Sequence, residues 1–130
     1  MVLYRKASSK KAEDSQKSES ELTRALCKDL ERMNALVFSV VGNRMQRPGL
    51  PDRYVAHRRW QGWLEFKASR GKLTEAQRIT LRELNSRGVN TYVVRFGGLH
   101  SSQIEDWEGR RLAEWNGTAV GLLDALEGLE

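Results

Sequence analysis

A glutamate and a lysine stand two positions apart in the segment Trp63-Leu64-Glu65-Phe66-Lys67. Side chains alternate along a strand, so Glu65 and Lys67 would share one side while Leu64 and Phe66 take the other. Charges on an otherwise apolar strand are costly to bury without a purpose. The bland alternative is an exposed edge strand carrying a surface ion pair, the commoner origin of a bare Glu-x-Lys. Asp52 shifts that balance. It closes Gly49-Leu50-Pro51-Asp52, where glycine permits a tight bend and proline fixes the approach of the chain. A hairpin running from Asp52 and returning through Glu65 would set two carboxylates side by side. Such a pair can hold Mg²⁺ or Mn²⁺, hard cations that take oxygen ligands.

Three kinds of element must position these groups. Leu22, Ala25, Leu26, Leu30 and Met33 recur at the one-sided spacing of an amphipathic helix. Leu36–Val41 is β-branched and aromatic, which predicts a strand. Residues 42–51 hold both prolines and two glycines and interrupt regular structure. A second strand is expected around Tyr54 and Ala56, a turn at Arg59–Gly62, and a third strand over Trp63–Lys67. Thr74-x-x-Gln77 has the form of a capping box that opens a helix, with Gln77, Leu81 and Leu84 on its inner seam and Gly88 as its stop. Val89–Arg95 predicts a fourth strand. Ile104–Trp107 and Arg111–Trp115 could pair as a hairpin, with a terminal helix over Val120–Leu129. The order helix, three strands, helix, strand implies an α/β fold with a mixed sheet flanked by helices.

The succession of an acidic first helix, GLPD, a strand with EFK, LTEAQ and a β-rich run resembles the virus-type replication-repair nuclease domain (VRR-NUC). That family belongs to the PD-(D/E)XK nucleases, restriction-endonuclease-like in fold, together with Holliday-junction resolvases. The resemblance covers about residues 18–95, flanked by a basic N-terminal arm over 1–17 and an extension over 96–130 packed on the same single domain. It implies that Asp52, Glu65 and the Phe66 carbonyl ligate Mg²⁺ or Mn²⁺. Lys67 would position and activate the attacking water, and Gln77 would match the glutamine kept on the helix behind the site. The first-helix helper would be Glu19, which precedes Leu22 and Leu26 on the apolar side. Glu21 lies off that side and fits a Ser18-x-x-Glu21 capping box. The implied activity is metal-dependent hydrolysis of DNA, selective for branched, flap or Holliday-junction structures, in phage or bacterial replication and repair. The implied assembly is a homodimer. The alternatives are a restriction-like enzyme that reads a short duplex sequence, and a nucleic-acid-binding protein that has the fold but no catalysis.

Charge is consistent with a polyanionic partner. Residues 1–100 carry 20 Lys/Arg against 10 Asp/Glu, residues 101–130 carry 2 against 7, so +10 and −5 give the net +5. Lys and Arg release counterions from a phosphate backbone, although a solvated basic surface has the same composition. Arg44, Arg47, Arg53, Arg58, Arg59, Arg70 and Lys72 flank the motifs and suggest a rim that tracks phosphates without reading sequence. Cys27, the single cysteine, excludes an intramolecular disulfide and a thiolate metal cluster, and its helical context predicts burial. His57 and His100 lack partners at metal-ligand spacing, and the four tryptophans suit packing better than base stacking. No apolar run reaches the roughly 20 residues of a membrane span, and the polar start lacks a signal peptide's apolar stretch, so a cytoplasmic protein is expected.

Overall fold

The computed structural model describes residues 18–40, 47–98 and 101–130. The basic arm expected over 1–17, Arg44, His100 and the predicted strand residue Val41 lie outside them. The elements are α1 (Glu19–Arg32), β1 (Leu36–Ser39), β2 (Arg53–Ala56), β3 (Gln61–Lys67), α2 (Glu75–Ser86), β4 (Thr91–Arg95), β5 (Ser102–Glu105), β6 (Arg111–Trp115) and α3 (Ala119–Glu127). The six strands form one sheet in sequence order, antiparallel throughout except for the parallel pair β3–β4. A parallel pair cannot be closed by a tight turn, and α2 is the crossover that joins it.

The expected order of elements is therefore present, and the weaker expectations at the C-terminal end also correspond to elements. The predicted hairpin appears as β5–β6, but its first strand is Ser102–Glu105 rather than Ile104–Trp107, because Asp106 and Trp107 belong to the turn that the Gly109 N–H closes on the Asp106 carbonyl at 3.0 Å. The terminal helix appears as α3. No helix among the described residues is long and apolar enough to cross a membrane.

Leu64 and Phe66 of β3 sit in one apolar cluster with Leu26, Cys27 and Leu30 of α1, Val94 of β4, Ile104 of β5, Trp115 of β6 and Leu122, Leu123 and Leu126 of α3. Removing such side chains from water contributes about 1.5–3 kcal/mol each, which fixes the register of β3. Glu65 and Lys67 are thereby turned to the opposite face, where α2 lies. That helix starts at Thr74 with a complete capping box, and the chain after it turns through Gly88 at φ +79°.

His57 is structural. Its Nδ1 accepts the Arg59 N–H at 3.0 Å, so its Nε2 is left to donate to the Met33 carbonyl at 2.9 Å. The ring ties the β2–β3 turn to the end of α1. Burial pushes the Cys27 thiol up from its ordinary value, with Arg53 pulling the other way. A raised thiol is a poor nucleophile, and the burial expected of Cys27 holds.

Candidate active site

β3 is an interior strand, hydrogen-bonded to β2 on one side and to β4 on the other. An exposed edge strand is thus excluded as the explanation of Glu65 and Lys67. Glu65 is only 2% exposed.

Asp52 enters from the neighbouring strand and is fixed by main-chain groups. Its carbonyl oxygen accepts the Val40 N–H at 3.0 Å, and its Oδ2 accepts the Phe66 N–H at 2.9 Å. The second bond pins the carboxylate to β3 between Glu65 and Lys67. The bend before Asp52 is held just as closely. Gly49 has φ +81°, and a Cβ there would overlap the Ala76 carbonyl and the Gln77 nitrogen in the first turn of α2. Any other residue would be strained and would push the helix away. Thr80, one turn further, donates to the Pro48 carbonyl at 3.0 Å and accepts from Arg47 Nε at 3.3 Å. This loop and the first half of α2 are one unit.

Gln77 faces two ways. Its Oε1 accepts the Thr74 N–H at 2.9 Å, and its Nε2 donates to Glu65 Oε2 at 3.2 Å. The helix cap and the partner of Glu65 are therefore the same side chain. Lys67 Nζ lies 3.5 Å from that same Oε2. Glu65 Oε1, by contrast, is buried and has no hydrogen-bond partner. Burial first, and then the charge of Asp52, push the Glu65 carboxyl up to about 8, against the opposing pull of Lys67.

Asp52, Glu65, Lys67 and Gln77 thus meet, as the motifs suggest. Glu19 is placed differently. Its Oε1 accepts the Thr23 hydroxyl at 2.9 Å, and no hydrogen bond or ion pair among the described residues joins it to the other four. Glu21 is exposed, with Ser18 capping its N–H at 3.2 Å.

The basic residues divide. Arg47 is exposed beside Thr80, and Arg70 and Lys72 are exposed in the loop that follows Lys67. Arg53 turns to the other face and toward Cys27. Arg58 and Arg59 occupy the β2–β3 turn, at the opposite end of the hairpin from Asp52; six residues at about 3.3 Å each is roughly 20 Å. Arg59 is bound there to Asp124 at 2.5 Å and to Glu127 at 2.9 Å. Closeness in sequence does not survive a hairpin, because its two ends point apart.

The donor set suits a hard divalent cation. Two carboxylates converge, one with an unpartnered buried oxygen, and a carboxyl disfavoured as an anion by burial and by its neighbour would be returned to its charged form by a metal. Among the described residues no three His, Cys, Asp or Glu side chains come together, so protein ligation beyond Asp52 and Glu65 would fall to main-chain oxygen.

No family model matches the chain, and no curated protein matches it. Among solved structures it is similar to Hjc, a Holliday junction resolvase from the archaeal hyperthermophile Archaeoglobus fulgidus. The TM-score is 0.52 at 16% identity, over 73% of this chain and 84% of that one. The chain shares the fold of that protein. In that fold the mixed sheet and its flanking helices form the frame in which Asp52, Glu65 and Lys67 stand.

Proposed function

We propose that the chain is a metal-dependent endonuclease that hydrolyses DNA phosphodiester bonds, selective for branched, flap or four-way DNA in phage or bacterial replication and repair. One observation carries this reading: a buried carboxylate, Glu65, lies against Asp52 and Lys67 with one oxygen left without a partner. A stability role alone gives no reason to bury Glu65 beside Asp52, since burial and that neighbouring charge both disfavour its anion. The likeness to a Holliday junction resolvase supports the choice of branched DNA, and the order of GLPD, EFK and LTEAQ supports a place near the VRR-NUC domains.

Asp52, Glu65 and the Phe66 carbonyl would hold Mg²⁺ or Mn²⁺, which supplies a hydroxide-like water and neutralises charge on the phosphoryl oxygens. Lys67 holds a positive charge at the same place and orients the water toward the scissile phosphate. Gln77 fixes Glu65 through Oε2. Arg47, Arg70 and Lys72, nearest the site, would carry the flanking phosphates; Glu19, on the first turn of α1, would assist from the side. A homodimer would suit the paired strands of a four-way junction.

The test is a cleavage panel of single-stranded, duplex, flap and four-way DNA with Mg²⁺ or Mn²⁺. Cutting of flap or four-way DNA that needs the ion, and is lost in Glu65→Ala and Lys67→Ala, is expected. DNA binding without cleavage in any arm, together with no calorimetric heat from Mn²⁺, would replace the enzyme with a non-catalytic binding protein.

A further inference from the structure

Lys67 has a neighbour that neither the motifs nor the carboxylate pair explain. In the parallel ladder its partner is Arg95 of β4, so the two cations lie side by side on one face. Arg95 spends every arm of its guanidinium inside the molecule. Nε and Nη2 donate to the two oxygens of Glu105, at 2.9 and 3.2 Å. Nη1 donates to the carbonyls of Ala68 at 2.9 Å and Gly71 at 2.5 Å, with Ser69 at 3.5 Å. Glu105 itself is 8% exposed and comes from β5.

Those carbonyls belong to the loop that leaves Lys67. Its turn is closed by the Gly71 N–H on the Ala68 carbonyl at 3.0 Å. Folded back in this way, Gly71 lies against the lysine: a Cβ built on it would stand 3.4 Å from Lys67 Cδ. The Lys67 carbonyl is meanwhile fixed by the Phe96 N–H at 2.9 Å. Hydrogen bonds therefore run from Glu105 through Arg95 to the loop at Ala68 and Gly71, and that loop passes close beside the stem of Lys67. A bidentate Arg–carboxylate pair suits such a task because its geometry is set in two directions at once.

We propose that Arg95 and Glu105 are positioning residues for Lys67, and that β5 is part of the active-site machinery for that reason. The proposal rests on the catalytic role given to Lys67 above, but its first test does not. Lysine cannot reproduce a fork that grips a carboxylate and a loop together, so Arg95→Lys should release the loop while keeping the charge. Glu105→Gln keeps the shape of the partner and removes its charge; it stands in if Arg95→Lys does not fold, as judged by thermal melting.

In metal-free protein, NMR relaxation of the Lys67 ε-methylene reports how tightly the side chain is held. The wild type should show Lys67 more ordered than exposed Lys28, and the variants should bring it down to the Lys28 level. Lys67 order unchanged in the folded variants would overturn the proposal whether or not the protein cuts DNA. Kinetics then follow on the DNA that the wild type cuts. Small displacements of an acting group cost about tenfold to a hundredfold in rate, so kcat should fall about tenfold with KM within about twofold. A KM rise alone would mean that the loop serves binding, and would also overturn it. Wild-type protein that cuts nothing would sink the nuclease reading and leave the NMR result standing.

Discussion

The two faces of β3 meet the same constraint in opposite ways. Leu64 and Phe66 are as deeply buried as Glu65. On their side α1 and α3 supply an apolar cluster, and burial is its own reward. On the other side Gln77 and Lys67 share one oxygen of Glu65 and leave the second bare. Packing explains the first face completely. The second face buries an acid beside another acid, at a cost that burial and the charge of Asp52 impose on its charged form; on the proposed function a cation offsets that cost.

The sharpest way to break this contrast is Glu65→Gln. Cleavage should fall by about a thousandfold or more, equivalent to roughly 4 kcal/mol of barrier, while the melting temperature at neutral pH holds or rises because an amide, unlike Glu65, need not take up a proton on folding. A variant that cut normally would make the bare oxygen an accident. On the apolar side Phe66→Ala should cost about 3–5 kcal/mol of stability, read by urea unfolding; a loss under 1 kcal/mol would mean that the face is not the core it looks to be.

The acid–base behaviour sharpens the contrast further. Glu65 titrates near 8 when folded against an ordinary value of 4.5. Between those values the unfolded chain releases a proton that the folded one keeps, so stability falls as pH rises across that window. Metal-free protein should melt progressively lower from pH 5 to 8, Glu65→Gln should flatten the slope, and Mn²⁺ should stabilise most at the alkaline end. A pH-independent melting curve for the wild type would contradict the buried acid. The smallest effect is expected at Gln77→Ala. Loss of half a capping box costs about 1 kcal/mol, and cleavage should drop only severalfold, measured as kcat at saturating metal.

Much of this is legible in the sequence. Strand alternation placed Glu65 opposite Phe66, Thr74 and Gln77 announced a helix start, and the GLPD bend pointed at Asp52. Each of these rests on local rules of a few residues. What was not legible depends on contacts between distant segments. The clasp of Thr80 on Pro48 and the insertion of Gly49 under α2 need the helix and loop to be packed first, and Thr80 shows only as one more position on an amphipathic helix. The pairing of Arg95 with Glu105 needs the β4–β5 register. Of the arginines near Asp52 in sequence, Arg58 and Arg59 leave with the turn of the hairpin, where Arg59 finds the acidic end of α3.

The double bonding of Gln77 has a consequence for which amide end meets which neighbour. With its oxygen committed to the Thr74 N–H, the nitrogen must face Glu65, and an amide nitrogen is welcome only to an acceptor. A glutamate at 77 could start the helix equally well, yet it would set a third negative group against Asp52 and Glu65. The choice between two nearly identical side chains is thus made by the sheet rather than by the helix that carries them.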